Sequence, residues 1–329
     1  MLYQFSFHSY QRRFRYPLST SHGVWDVREG IIIQLVDETG QIGWGEIAPI
    51  PWFGSESLQQ ALNFCQQLPP KIATRDIFTI PSQLPACQFG FESAREWGLA
   101  NWKLGDRGAS LMDLSVSSFQ SLSAFSYLLP TGKAALPAWQ TPWQQGTRTF
   151  KWKIGVAPIE EELKVFDELM QALPSSVQLR LDANGGLTQK EAHQWLGVAD
   201  AAGIVEFLEQ PLTPEQFDAM LEMSRQYSTS IALDESVATL DQLEDCYQKG
   251  WRGVFVIKAA IAGSPKRLRQ FCKEHSIDAV FSSVFETAIA RKAALQLAAE
   301  LSHPNRAVGF GINQWFQQDE PWVVDWIQS

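Results

Sequence analysis

The sequence predicts an α/β barrel preceded by a smaller α+β domain. From about residue 125 onward, short apolar runs of strand length alternate with amphipathic segments of helix length. This alternation is typical of parallel strands joined by right-handed helical crossovers, and seven or eight such units close into a barrel more readily than they form an open sheet. A doubly wound open sheet is the alternative. The chain contains neither G-x-G-x-x-G nor G-x-x-x-x-G-K-[ST], the phosphate-binding loops common in that class.

Composition narrows the function classes. The chain has 329 residues, of which 45% are apolar and 19% charged, so it can bury a sizeable core. The net charge of −9, without a basic run, disfavours nucleic acids and anionic membranes as partners. No apolar stretch reaches the roughly 18 residues of a membrane span, the N-terminus does not resemble a signal peptide, and the four cysteines lack C-x-x-C spacing. We therefore expect a cytoplasmic globular protein, either an enzyme or a binding protein.

The first hundred residues differ from the rest because their strands precede their helices. Strands are predicted over residues 30–36 and 41–46, with Gly40 in the turn between them, and helices over residues 55–67 and 89–102. We expect residues 1–100 to form the α+β domain, and a Ser-rich linker to span residues 101–124. Residues 125–305 then form the barrel.

Seven barrel strands are predicted, over residues 125–130, 149–155, 177–182, 205–210, 230–235, 253–258 and 279–283. Helix starts are indicated by a capping box formed by Thr188 and Glu191 and by a hydroxyl before proline at Thr213 and Ser264. Helix ends are indicated at Gly203 and Gly250.

Five of these strands end in a charged residue. The intervals between them are 24 to 29 residues, about one βα unit, so the five side chains should lie side by side on the C-terminal rim of the barrel, where barrel enzymes place their catalytic groups. In chain order they are Lys153, Asp182, Glu209, Asp234 and Lys258. Taken singly, each is more often a helix cap or a structural ion pair; five in register are hard to obtain by accident.

The order of these charges indicates a chemistry. Three neighbouring carboxylates repel one another unless a cation lies between them, and oxygen ligands of this kind suit Mg²⁺ or Mn²⁺. A lysine beside a bound cation can serve as a general base near neutral pH. The set therefore predicts removal of a proton α to a metal-bound carboxylate.

These residues resemble the enolase superfamily, in its muconate-lactonizing subgroup. The matching motifs are Lys151-Trp152-Lys153, Asp182-Ala183-Asn184, Glu209-Gln210-Pro211, Asp234-Glu235-Ser236, Ile257-Lys258 and residues 43–49 (GWGEIAP). The resemblance implies a modified TIM barrel, (β/α)₇β, with an N-terminal α+β capping domain that the C-terminal residues 306–329 complete.

The resemblance also implies a role for each site residue. Asp182, Glu209 and Asp234 would bind Mg²⁺ or, in its place, Mn²⁺, while Lys153 would abstract the α-proton and Lys258 would stabilise the charge that develops. Substrate-binding or supporting roles would fall to Lys151, Asn184, Glu235, Ser282 and Ser283. For the two serines, a simple strand-end role is an equal alternative.

Residues 48–57 (APIPWFGSES) and 281–287 (FSSVFET) resemble the subgroup members that dehydrate 2-succinyl-6-hydroxy-2,4-cyclohexadiene-1-carboxylate for menaquinone or phylloquinone biosynthesis. Racemisation of N-acylamino acids, dipeptide epimerisation and muconate cycloisomerisation stay open, because they use the same five residues. A barrel that has lost catalysis is disfavoured, since all five are intact. The aromatic residues Trp25, Trp52 and Phe53 should either contact the substrate or pack the interface between the domains. Oligomeric state is left open.

Overall fold

The computed structural model of the protein describes residues 1–20, 23–99, 124–311 and Phe316. The predicted linker over residues 101–124 lies outside these ranges except for its last residue. Residues 312–315 and 317–329 of the predicted C-terminal return also lie outside them. No helix in the described ranges has both the length and the apolar character needed to cross a membrane.

The N-terminal domain is a four-stranded antiparallel sheet of order β3-β2-β1-β4, covered by helices. Its strands are β1 Leu2–Thr20, β2 Gly23–Asp37, β3 Ile42–Ile47 and β4 Lys71–Ala73. Its helices are α1 Leu58–Gln67, α2 Thr74–Phe78 and α3 Pro85–Leu99. The prediction missed β1, although Tyr3 and Phe5 are buried and alternate with exposed residues, which is the period of a strand.

Helix α3 begins four residues before its predicted start. The buried carboxylate of Glu56 accepts hydrogen bonds from the backbone N–H groups of Ala86 and Cys87, at 3.0 and 2.8 Å. It thereby satisfies donors that a helix N-terminus leaves without a partner. This cap comes from a residue 30 positions away and therefore leaves no local signal in the sequence.

The close approach of Gly45 to Gly90 explains the second glycine of the GWGE motif. A Cβ atom on Gly45 would lie 2.0 Å from the carbonyl oxygen of Gly90, so only glycine permits β3 and α3 to pack this closely. The contact fixes the helix on the sheet.

The second domain is an eight-stranded parallel barrel, as predicted. The sheet order is β11-β10-β9-β8-β7-β6-β5-β12, and a parallel bridge between Ser282 and Gly309 joins its two ends. The strands are β5 Phe125–Leu128, β6 Thr149–Lys153, β7 Gln178–Asp182, β8 Val205–Glu209, β9 Ser230–Leu233, β10 Val254–Ile257, β11 Asp278–Phe281 and β12 Val308–Gly311. Seven of these lie where the apolar runs predict them.

The eighth strand corrects part of the domain prediction. Val308–Gly311 belongs to the segment 306–329 that the sequence assigns to the cap, yet it pairs with β5 and completes the barrel. Beyond it, Phe316 forms a bridge with Phe14 of the cap. The remaining domain boundaries stay predictions.

Helices follow the barrel strands in the expected alternation. They are α4 Ala135–Ala138, α5 Gln140–Gln144, α6 Ile159–Ala172, α7 Gln189–Ala202, α8 Phe217–Met223, α9 Leu240–Gln248, α10 Ala259–Ala262, α11 Pro265–Glu274 and α12 Ala288–Leu301. The capping box at Thr188 and the cap at Ser264 are confirmed, and Gly203 and Gly250 have the left-handed φ expected of helix ends. At Thr213 the helix start is confirmed, because Thr213 precedes the 3₁₀ helix Pro214–Gln216 that runs into α8, but the predicted cap is wrong, because the Thr213 side chain forms no capping hydrogen bond.

The cap is joined to the barrel by a buried carboxylate. Glu46 of β3 accepts hydrogen bonds from the N–H groups of Thr287 and Ala290 at the start of α12, at 2.9 to 3.1 Å, and from the Thr287 hydroxyl. The hydroxyl of Tyr10 also donates to it, at 2.5 Å. Because a helix N-terminus favours negative charge, this contact stabilises the domain interface next to the loop after β11.

Candidate active site

The predicted site residues converge in one pocket between the C-terminal rim of the barrel and the cap. All ten line it: Lys151, Lys153, Asp182, Asn184, Glu209, Asp234, Glu235, Lys258, Ser282 and Ser283. Strand register explains the convergence on the rim, because Lys153 pairs with Asp182 and Asp182 pairs with Glu209 across adjacent strands.

The three carboxylates are almost fully buried, with side chains about 2% exposed, and the lysines hold them. Lys151 Nζ lies 2.8 Å from Asp182 Oδ2 and 2.6 Å from Glu209 Oε1. Lys258 Nζ bonds both carboxylate oxygens of Asp234. The single positive charge of the Lys151 ammonium is thus shared between two carboxylates.

Burial and mutual repulsion shape the ionisation of this cluster. Burial, and then the charge of Asp182, raise the pKa of Glu209. Burial also raises the pKa of Asp234, against the opposing ion pair with Lys258. Burial opposes the charged form of Asp182, but the positive charges of Lys151, Lys153 and Lys258 together outweigh it and lower the pKa of Asp182. Burial likewise opposes the charged form of Lys151, but Asp182, Glu209 and Asp234 together raise its pKa. The lysines therefore do not fully compensate the negative charge of the site, and Glu209 and Asp234 keep raised pKa values.

The donor chemistry fits a hard divalent cation. Three buried carboxylates on neighbouring strand ends supply the oxygen ligands that Mg²⁺ prefers. A cation among them would offset the burial and the repulsion that raise the pKa values of Glu209 and Asp234. In the described part of the chain, no set of three Asp, Glu, His or Cys side chains has the geometry of a metal site. The carboxylates of the rim contact Lys151 and Lys258 instead. The fit therefore rests on donor type and burial.

Lys153 and Lys258 lie on opposite sides of the barrel mouth, since four strand steps separate β6 from β10 in either direction around the eight strands. Lys153 is the more accessible, with 30% of its side chain exposed against 13% for Lys258. Its Nζ donates to Asn184 Oδ1 at 2.5 Å, and Asn184 Nδ2 donates to Glu235 Oε1 at 3.1 Å. Through these two bonds Asn184, whose backbone is left-handed with φ 45°, links Lys153 to the residue that follows Asp234 at the end of β9.

Gln210 is a supporting residue to which sequence reasoning assigned no role. Its buried side-chain oxygen accepts from the backbone N–H groups of Asp234 and Ser236, at 2.9 and 3.2 Å. Its amide nitrogen donates to Leu212 O and to the hydroxyl of Ser236. Gln210 therefore fixes the strand end that carries Asp234. The signal available was its place inside the Glu209-Gln210-Pro211 motif.

The apolar wall of the pocket comes mostly from the cap. We call it the cap wall and define it as Trp25, Ile50, Trp52, Phe53 and Phe285. Of these, Phe285 comes from the loop after β11 and packs on the cap residues. The rings of Trp25 and Trp52 are 5.0 Å apart and nearly perpendicular, and Phe285 lies 5.7 Å from Trp25. The aromatic residues thus pack the interface and also line the pocket. Their contact with a substrate stays a prediction.

Lys258 and Phe53 connect the wall to the rim. Lys258 Nζ lies 3.9 Å from the centroid of the Phe53 ring, a cation–π distance. Ser283, by contrast, is engaged within its own loop, because its hydroxyl donates to Glu286 Oε2 and accepts from the N–H of Phe285. Ser282 Oγ lies 3.5 Å from Gly309 O at the barrel seam.

The fold and the site together define a capped barrel enzyme that performs acid–base chemistry beside a divalent cation. Residues 137–325 match the model of the Enolase C-terminal domain-like family, and residues 6–97 match that of the MenC N-terminal domain. An o-succinylbenzoate synthase of Thermosynechococcus vestitus is 41% identical over 310 residues, which cover 93% of this chain and 91% of the relative. The chain belongs to the o-succinylbenzoate synthase family of the enolase superfamily.

Solved structures of related proteins support this assignment of family and fold. The o-succinylbenzoate synthase of Thermosynechococcus elongatus, described with Mg in its active site, matches with a TM-score of 0.85 and 38% identity over 99% of this chain and all of that one. The L-Ala-D/L-Glu epimerase of Bacillus subtilis has a TM-score of 0.73 at 20% identity, covering 96% of this chain and 91% of its own. The muconate lactonizing enzyme of Pseudomonas putida has a TM-score of 0.74 at 18% identity, covering 97% and 90%. The last two show the fold alone.

Proposed function

We propose that the protein acts as an o-succinylbenzoate synthase, a lyase that converts 2-succinyl-6-hydroxy-2,4-cyclohexadiene-1-carboxylate to 2-succinylbenzoate and water. The observation that carries this proposal is the buried carboxylate triad flanked by Lys153 and Lys258, in a chain 41% identical to a synthase of that name. The product would enter menaquinone or phylloquinone biosynthesis.

Asp182, Glu209 and Asp234 would hold Mg²⁺, and Mn²⁺ would substitute because it accepts the same oxygen ligands. When bound, the ion would neutralise the negative charge that the substrate carboxylate gains as its α-proton leaves. This role agrees with the Mg recorded in the active site of the Thermosynechococcus elongatus synthase.

Lys153 is the proposed acid–base group. Its Nζ, held by Asn184 Oδ1, would take the proton from C1 of the substrate ring as the C1–H bond breaks. The same ammonium would return that proton to the hydroxyl on C6 as the C–O bond breaks, which releases water from the same face. Aromatisation of the ring favours this second step, so one lysine suffices for both.

Lys258 would act from the opposite side of the mouth as a fixed positive charge. The Asp234 carboxylate and the face of Phe53 hold its ammonium in place. A cation held in a water-poor pocket stabilises negative charge that develops on the substrate without reorganisation. Lys151, between Asp182 and Glu209, would orient the substrate carboxylate, while Glu235 would support Asn184. Ser282 and Ser283 are proposed to lie at the succinyl end.

A turnover assay tests the proposal. Metal-stripped protein is given the substrate with and without Mg²⁺, and formation of the aromatic product is followed by absorbance. Turnover that requires Mg²⁺, disappears with EDTA and returns when Mg²⁺ is restored in excess is the expected result. Absence of turnover in protein that demonstrably binds Mg²⁺ would overturn the proposed substrate.

A second candidate is racemisation or epimerisation of an N-acylamino acid or dipeptide. The observation in its favour is that Lys153 and Lys258 face each other across the mouth, as a two-base proton transfer requires. Incubation with N-succinylamino acids in deuterated water separates the two candidates. Exchange of the α-proton without dehydratase turnover would favour the second.

A further inference from the structure

Phe285, in the loop after β11, has an unusual backbone. Its φ is +60°, the left-handed region that bulky residues avoid, and its side chain lines the pocket. Its ring packs edge-on against Phe14 at 5.3 Å and against Trp25 at 5.7 Å. A strained residue at a site persists only where its surroundings hold it, so the contacts of this loop identify what holds it.

Two arginines of the cap bind the carbonyl oxygens on either side of Phe285. Arg28 Nε donates to Val284 O at 3.1 Å, and Arg12 Nη1 donates to Glu286 O at 3.3 Å. These bonds fix the peptide group that precedes Phe285 and the peptide group between Glu286 and Thr287. They cross 256 and 274 residues of sequence, so the cap determines the conformation of a barrel loop.

Arg28 holds a second part of the cap wall with the same guanidinium. It donates to Pro49 O at 2.9 Å and to Ala48 O, which precede the turn Pro51–Phe53. The guanidinium also lies 5.5 Å from the ring of Trp25. One planar group with donors on several sides thus sets the distance between the loop of Phe285 and the loop of Trp52 and Phe53.

The placement of these arginines is costly for stability alone. Arg12 and Arg28 are direct cross-strand partners on β1 and β2, and they are only 7% and 1% exposed. Like charges opposite each other destabilise a sheet, and burying a charge carries a desolvation penalty. In exchange for this cost, the two arginines donate directional hydrogen bonds to backbone carbonyl oxygens at the pocket wall.

We propose that Arg28, assisted by Arg12, is a positioning residue that holds Phe285 against the substrate and so sets the apolar end of the pocket. The substrate part it serves is the portion remote from the reacting carboxylate, a ring edge with its acyl chain. The identity of that substrate rests on the proposed function. The set of hydrogen bonds from Arg28 and Arg12 to the loops of the cap wall, which we call the clamp, does not.

A double-mutant cycle tests the clamp. We expect Arg28→Met and Phe285→Gly each to raise KM by about tenfold while kcat changes less than threefold, because both remove the same wall. If Arg28 acts through Phe285, the double variant has a KM no higher than the larger single effect. KM effects that multiply would show that Arg28 acts otherwise and would overturn the proposal.

The matched control is Arg269→Met. Arg269 also ties the cap to the barrel, through Glu96 of α3 and Glu300 of α12, but within the described ranges it neither lines the pocket nor pairs with its loops. It should leave KM unchanged. Arg28→Lys, which keeps the charge but cannot reach both loops at once, should give an intermediate KM and guards against misfolding of the methionine variant.

Hydrogen exchange provides a readout without substrate. In Arg28→Met, the amides of residues 48–54 and 282–287 should exchange at least about tenfold faster, whereas in Arg269→Met they should not. Unchanged exchange in Arg28→Met would refute the clamp. Faster exchange in a protein that lacks dehydratase turnover would uphold the clamp and reject only the proposed substrate.

Discussion

The charged rim of the barrel and the cap wall face each other across one pocket, yet they are built differently. The rim residues follow one another at the ends of adjacent parallel strands, with Lys153, Asp182 and Glu209 in direct register. The wall residues come from distant loops that converge through contacts such as Arg28 with Val284. Reacting groups thus sit on rigid strands, and the groups that shape the pocket sit on loops held from afar. This division predicts that changes on the rim lower kcat and changes in the wall raise KM.

The largest expected effect is on the rim. Lys153→Ala should lower kcat by about 10³-fold, because it removes the proposed acid–base group, whose contribution in enzymes is typically ~10²–10⁴-fold. Single-turnover measurement of the aromatic product isolates the chemical step. Lys164→Ala, at an exposed position of α6, is the matched control and should match wild type.

A Lys153→Ala variant that retained more than a tenth of kcat would break the comparison, since the chemistry would then not depend on the rim lysine. Circular dichroism should show that this variant is folded. Loss of kcat in Lys164→Ala as well would point to a general effect of removing positive charge.

The difference between the two regions also explains what the sequence could predict. The rim was predictable because the interval of a βα unit converts sequence spacing directly into position around a barrel. For the cap wall, the sequence indicated only some of the residues, namely Trp25, Trp52 and Phe53, and not how they are held in place. Strand β1 was missed, and the contact of Arg28 with Val284 spans 256 residues, which no local pattern encodes. The eighth strand was misassigned because Val308–Gly311 (VGFG) alternates with glycine and lacks the continuous apolar run that marks strands of the same length such as Val254–Ile257.

A smaller effect should follow from loosening the cap. Glu46→Gln removes the charge that caps α12 and places an amide N–H₂ among the N–H and hydroxyl donors of Thr287, Ala290 and Tyr10. We expect the free energy of unfolding to fall by about 2 kcal/mol, the cost of leaving buried donors without an acceptor. Urea titration followed by fluorescence measures it.

Glu96→Gln, which weakens the half-buried ion pair between Glu96 and Arg269, is the control and should cost less than ~1 kcal/mol. For the active site, Glu46→Gln should raise KM more than it lowers kcat, because it loosens the loop that carries Phe285 and leaves the rim strands untouched. A selective loss of kcat would show that the cap also positions the reacting groups.

The smallest effect should arise where the two regions touch, at Phe53 and Lys258. Phe53→Leu keeps most of the apolar volume but removes the π face that lies 3.9 Å from the ammonium, whereas Phe53→Tyr keeps that face. A cation–π contact of ~1 kcal/mol predicts that kcat/KM falls about fivefold in the leucine variant and stays near wild type in the tyrosine variant. Equal losses in both would mean that Phe53 contributes shape alone and belongs wholly to the wall. A loss confined to leucine, and seen in kcat, would mean that one cap residue takes part in the charge stabilisation of the rim.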